Sequence, residues 1–160
     1  MHVTSYANRG KFLERVINQC NAVYRHKGIA LINQIPTPIN MNKKNKNAFY
    51  SGKSTVDYTG VAQGTFIAFD AKETKASSFQ FSRLQQHQKD YLIDAHKHQG
   101  QAFILILFTQ ANELYRINID EFIKLEENIG RKSIPLSWFR DNKRPITSRN
   151  GLYYDYLNIT

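Results

Sequence analysis

The run AFILILF, Ala102–Phe108, limits the fold more than any other segment. It is far shorter than the roughly 20 residues that cross a bilayer. Side chains of a strand alternate between two faces, so an unbroken apolar strand needs cover on both. That arrangement belongs to a sheet with helices on each side. A chain of 160 residues has room for one such core and not for two full domains, so residues 1–160 read as a single domain.

The flanking pattern fits. Leu13, Val16, Ile17, Cys20 and Tyr24 recur at helical spacing over residues 11–27, and Gly28 stops that helix. IALINQI at 29–35 reads as a strand broken by the prolines of PTP at 36–38. Residues 39–53 are polar, basic and aperiodic, and read as a loop or a short projecting arm. VDYTG and TFIAFDAKET read as two strands joined by a turn around Gly60 and Gly64. Ser82 is placed to cap a helix running to about His98, with Leu84, Gln88, Tyr91, Leu92 and Ala95 on one face and Gly100 as its stop. ELYRINI follows AFILILF as a partner strand, and Asp120 is placed to cap EFIKLEENI. Residues 130–139 and the tail are less regular, apart from a possible strand at YYDYLNI. The expectation is an α/β domain with a mixed central sheet.

Charge narrows the partners. Lys and Arg number 22 against 13 Asp and Glu, a net +9 that favours an anionic partner such as nucleic acid. Lys43, Lys44, Lys46 and Lys53 crowd the arm, and residues 131–149 form a second positive segment. Cys20 is the only cysteine, so an intrachain disulfide and a cysteine-rich zinc site are excluded. MHVTSYANRGKF lacks an apolar segment, so neither a signal peptide nor a membrane partner is expected, and a cytoplasmic location is the default.

The chemistry concentrates in two strands. Phe66, Ala68, Asp70 and Lys72 share one face of TFIAFDAKET, while Ile67, Phe69 and Ala71 share the other. Asp57 on the preceding segment can meet Asp70, and Thr55 lies two residues before it. Two carboxylates at one point repel each other, and a hard divalent cation, Mg²⁺ or Mn²⁺, removes that penalty. Such an ion activates water and polarises a phosphoryl oxygen, and a neighbouring lysine offsets charge on the pentavalent phosphate. An Asp-x-Lys at a strand end is also common as a plain surface ion pair. Gln88, polar on a packed stripe, needs a partner: the backbone, or an ion and its water. Glu14 borders the first helix's stripe, either solvated or supplying an outer carboxylate to the same cleft.

These segments resemble the RecU family of Holliday junction resolvases. SYANRGKFLE resembles the family's N-terminal segment, and STVDYTGV with FDAKETK resembles its core motifs. HQ at 87–88, GRKSI at 130–134 and Asp155-Tyr156 also match. The resemblance covers nearly the whole chain and implies a PD-(D/E)xK nuclease fold, a homodimer, and Mg²⁺-dependent nicking of opposed strands in four-way junctions. It implies a metal site at Thr55, Asp57, Asp70 and Gln88, with Lys72 stabilising the transition state and a 5′-phosphate as product. Arg9 and Lys75 in the matching segments, the arm lysines, and Arg131 and Lys132 are the candidate DNA contacts. Two features depart from the family: Asp70 stands where Glu is usual, and the segment between PTP and the core, a junction-inserting stalk in the family, is shorter. Compactness suggests a phage-encoded member. The rival readings are a restriction- or repair-type nuclease on the same fold and a non-catalytic branched-DNA-binding protein. The second has no need of two converging acids.

Overall fold

The computed structural model describes residues 11–37, 39–41, 48–50 and 55–158, with side chains at 12–37 and 55–158. Helix α1 (Lys11–His26) leads into strand β1 (Ala30–Gln34), then β2 (Ile39–Met41), β3 (Ala48–Tyr50), β4 (Tyr58–Ala62) and β5 (Thr65–Thr74). A short β6 (Ser78–Gln80) and a 3₁₀ turn (Phe81–Arg83) precede α2 (Gln86–Lys97). The chain continues through β7 (Gln101–Phe108), β8 (Glu113–Asn118), α3 (Ile119–Asn128), β9 (Ser133–Pro135) and α4 (Leu136–Asn142).

The main sheet has the order β1-β4-β5-β7-β8, and only the β5–β7 pair is parallel. It is therefore a mixed sheet, with the β6-to-α2 segment as the crossover that a parallel pair requires. The apolar run of β7 is buried on both faces, as its sequence demands. One face carries Leu13, Ile17 and Tyr24 of α1 against Ile67, Phe69 and Phe103. The other carries Leu92 of α2 and Phe122 of α3 against Ala68, Ile104 and Ile106. Phe69 anchors the first layer, stacked between Tyr58 and Phe103 at centroid distances of 4.7 and 4.8 Å. No helix among the described residues is long and apolar enough to cross a membrane.

Several local expectations shift. The β4–β5 turn is Gln63-Gly64 alone, both at positive φ, the two-residue geometry that continues strand twist. Gly60 sits inside β4, where a Cβ would lie 2.1 Å from the Leu31 carbonyl oxygen, so glycine serves close backbone approach. The second helix starts at Gln86, because Ser82 belongs to the 3₁₀ turn. Asn118 and not Asp120 flanks α3. Residues 133–142 form β9 and α4, whereas the described part of YYDYLNI, residues 153–158, forms no strand: it buries Tyr154, Asp155 and Tyr156 beneath α1 as irregular chain. Within 39–53, Ile39–Met41 and Ala48–Tyr50 pair as an antiparallel ladder apart from the main sheet.

Candidate active site

Strand β5 runs from the core to a cleft, and the site forms where it emerges. Alternation points Asp70 to the Ala68 face, toward α2, and the sheet and α2 bury it completely. Three neighbours hold its carboxylate. The backbone N–H of Asp57 donates to Oδ1 at 3.1 Å, and Gln88 Nε2 donates to the same oxygen at 3.3 Å. Lys72 Nζ stands 2.7 Å from Oδ2. That approach gives charge neutralisation without hydrogen-bond geometry, so Oδ2 is a buried acceptor with an open lone pair.

Asp57 is fixed with equal thoroughness. Its carbonyl oxygen accepts from the Ile35 N–H at 2.8 Å, which ties it to the end of β1. Its Oδ2 accepts from the Ala71 N–H at 2.9 Å, one residue beyond Asp70. The two aspartates thus exchange backbone and side-chain bonds across the start of β4. Two carboxylates and one ammonium share a largely buried spot, one negative charge in excess. Burial first, then the charge of Asp70, push the Asp57 carboxyl up to about 7. An open buried oxygen beside a destabilised second carboxylate is a donor set that fits a hard divalent cation. No group of three or more His, Cys, Asp or Glu converges among the described residues. A cation here would therefore rest on Asp57, Asp70, neutral oxygens and water.

Beyond Lys72 the C-terminal half of β5 lines a cleft of about 490 Å³ with Glu14 of α1, Arg83 and Thr109. Lys75 also lines it. Glu14 shares this cleft with Lys72 but accepts from Gln34 Nε2 at 3.3 Å and does not cluster with the two aspartates. Gln88 reaches the site with the opposite end from that expected. Its Oε1 accepts from the Gln85 N–H at 3.0 Å, at the first turn of α2, so the nitrogen and not the oxygen faces Asp70. Thr55 is exposed and makes no hydrogen bond to either aspartate among the described residues. Arg131 and Lys132 are exposed in the turn after α3 and do not line the cleft. Arg9, Lys43, Lys44, Lys46 and Lys53 lie outside the described residues.

Two cleft residues escaped the sequence reading. Arg83 donates from Nη1 to the Glu73 carbonyl at 2.6 Å while its guanidinium lies over Phe79, 5.4 Å from the ring centre. Glu73 lines the cleft from the face opposite Lys72, with a buried Oε2 that lacks a partner. Strand alternation assigns Glu73 to the α1 layer, and its spacing from Glu14 in sequence gives no sign that the two meet. Nothing in the sequence around Arg83 distinguishes it from other surface arginines.

Comparison with known proteins identifies the family. Residues 8–160 match the family model described as RecU, Recombination protein U. A Holliday junction resolvase RecU of Pediococcus pentosaceus is 39% identical, over 95% of this chain and 82% of that protein. The RecU resolvase of a Geobacillus species is 37% identical over 82% of this chain and 72% of its own length. That of Streptococcus sanguinis is 32% identical, covering 98% and 84%. Among solved structures, the Holliday junction resolvase Hjc of Archaeoglobus fulgidus superposes on 67% of this chain and 77% of its own with a TM-score of 0.44 and 13% identity, too distant to carry weight.

Proposed function

The chain belongs to the Recombination protein U family, and from that premise we infer that it is a Holliday junction resolvase, an endonuclease acting on four-way DNA junctions in recombination and repair. The carrying observation is the locked pair of Asp57 and Asp70, with Lys72 2.7 Å from the open oxygen of Asp70. A non-catalytic binding module has no use for a buried, electrostatically costly carboxylate pair.

The finer chemistry is our proposal. Asp57 and Asp70 would hold Mg²⁺, or Mn²⁺ in its place, with Gln88 orienting Asp70 and Thr55 offering a neutral oxygen. When bound, the cation offsets the excess negative charge and supplies Lewis acidity toward the phosphoryl oxygens. Lys72, held by Asp70 and partly open to the cleft, positions a water and offsets charge on the phosphate. Water loses one proton as its oxygen bonds to phosphorus, the bond from phosphorus to the 3′ oxygen breaks, that oxygen takes up one proton, and a 3′-hydroxyl and a 5′-phosphate remain. Asp70 is one methylene shorter than Glu, and Glu14 lines the cleft as an outer charge that would position water.

Symmetric nicking of two strands calls for two copies. Leu31, Val61 and Phe66 are exposed and directly opposed across β1, β4 and β5, an apolar stripe suited to a second copy. Arg9, Lys75, Arg131, Lys132 and the arm lysines Lys43, Lys44, Lys46 and Lys53 serve as phosphate contacts, and the paired arms select junction over duplex. A cytoplasmic location belongs to the same proposal, since the substrate is DNA.

The test incubates purified protein with labelled four-way junction, duplex and single strand, with and without Mg²⁺. Paired nicks with 5′-phosphate ends, specific to the junction and requiring the metal, are expected. Equal cutting of duplex would replace the resolvase reading with that of a general nuclease. Deletion of residues 39–53 should then erase the preference for junction over duplex. Equal loss of affinity for both substrates would reduce the arm to a general phosphate clamp.

A further inference from the structure

The segment 131–149 carries six basic residues, and folding separates them by role. Arg140 pairs with Glu113 at 2.6 Å, and Lys143 pairs with Glu121. Arg144 and Arg149 are exposed and form no ion pair among the described residues. Both line a pocket of about 410 Å³ built from β8 and the chain after α4, together with Asn118, Thr147, Asp155 and Arg116.

Arg116 is the unusual member. It is only 8% exposed, and its guanidinium lies 3.8 Å from the centre of the Phe103 ring. Nη1 donates to the Tyr156 carbonyl at 3.3 Å and Nη2 to Gln101 Oε1 at 3.1 Å, while Nε has no partner. Every partner is neutral, and no carboxylate lies within ion-pairing distance among the described residues. Asp155 lines the same pocket, but its Oδ1 accepts from the Tyr24 hydroxyl at 2.8 Å. Burial pushes the Arg116 pKa down to about 10, so the side chain still carries its charge at neutral pH. With Lys143 neutralised by Glu121, three arginines face one aspartate. A buried cation without a counter-ion is a costly arrangement unless an anion completes it.

Register gives the distance to the cleft. Arg116 lies opposite Leu105, and Leu105 opposite Ala71. Two strand spacings, about 10 Å, separate Arg116 from Ala71, a cleft-lining residue on the same α1-facing side of the sheet and on the side opposite Asp70 and Lys72. One duplex arm, whose major groove is roughly 12 Å wide, spans that distance.

The geometry points to a second phosphate site, in which Arg116, Arg144 and Arg149 hold a backbone phosphate of the DNA arm lying beside the catalytic cleft. Asn118 and Thr147 supply neutral donors at the pocket wall. The DNA source rests on the resolvase reading. The phosphate chemistry does not, since free phosphate presents the same oxygens.

The experiment uses the full chain and the variant R144A/R149A, whose replaced side chains are exposed and unpaired and so are dispensable for folding. Thermal melts compare inorganic phosphate with chloride at matched ionic strength. Phosphate should raise the melting temperature of the wild type and lose that effect in the variant. Junction binding without divalent metal is then measured across salt concentrations. Loss of the one phosphate contact that this site makes should make the slope of log affinity against log salt shallower by about 1. Lost phosphate protection with an unchanged slope keeps the pocket as a phosphate site and assigns it to free phosphate. No protection in the wild type, or protection that survives in the variant, overturns the proposal whatever the slope does. Failure of the wild type to cut junctions, with phosphate protection intact, would sink the resolvase reading and leave this one standing.

Discussion

Asp70 and Asp155 are both buried carboxylates, and they sit on opposite faces of one sheet. Asp155 accepts the Tyr24 hydroxyl at 2.8 Å, and that hydroxyl in turn accepts the Leu157 N–H at 3.2 Å. It stands in the wall of the arginine pocket with its Oδ1 engaged, and Tyr156 beside it packs on Tyr24 and Phe69. Asp70 also has partners, yet a second carboxylate crowds it, one of its oxygens stays open, and its lysine reaches into a cleft. The first arrangement consumes its polar groups in holding the fold. The second leaves charge in excess at a stated point, as a site awaiting a cation does. Burial alone does not mark function; incomplete compensation beside an opening does.

The largest expected effect strikes the open side of this comparison. D70N and K72A should each lower junction cleavage by about 100-fold or more, the scale of losing a charge-stabilising group. Junction affinity should survive, because phosphate contacts lie elsewhere. Cleavage and gel-shift measurements on the same preparations check both. Near-normal cutting by either variant would dissolve the distinction between the two carboxylates.

On the closed side the effect should appear in stability. Y24F leaves Asp155 without its donor and should cost on the order of 2 kcal/mol. For a chain of this size that corresponds to a melting temperature lower by about 6 °C. Cleavage per folded molecule should stay at the wild-type level. A cleavage defect without a stability loss would move Asp155 to the functional class.

A smaller, pH-dependent effect should separate Asp57 from both. Its raised carboxyl means that the native state holds a proton which the unfolded chain releases, between the ordinary carboxylate range and about 7. The metal-free wild type therefore loses stability as pH rises through that window. D57N removes the loss and should melt above the wild type near pH 8, by on the order of 1 kcal/mol, with the gap closing toward about pH 4. Saturating Mg²⁺ should stabilise only the wild type and reverse the order. A D57N advantage that is independent of pH would show that Asp57 carries no such penalty.

The smallest effect concerns Gln88. It bonds Asp70 on one side and the Gln85 N–H on the other. Q88A should cost about 1 kcal/mol of stability and raise the Mg²⁺ concentration needed for half-maximal cleavage several-fold. Metal titrations of cleavage read this directly. An unchanged metal requirement would confine Gln88 to starting α2.

Much of this was legible in the chain because it depends on local period. The apolar run of β7 demanded two covered faces, alternation put Asp70 and Lys72 on one side of β5, and the stripe of α1 named its own buried residues. Those relations follow from backbone geometry over a few residues, which sequence spacing encodes. The meeting of Asp57 with Asp70 was half legible, since a short turn brings adjacent strands together but does not say which atoms bond.

The rest was decided by contacts between distant segments. Arg116 sits in a strand that alternates on paper, yet it is buried because the C-terminal chain folds over β8 and offers it the Tyr156 carbonyl. That terminal chain reads as a strand, and its described residues form none: Tyr156 turns inward and packs on Phe69 and Phe103. Gln88 turns its nitrogen inward because the start of α2 claims its oxygen. The sequence determined the layers, strand β5 and the face that carries Asp70 and Lys72. Tertiary structure decided which buried charges are compensated and which stay open, because compensation is a property of neighbours brought together from far along the chain.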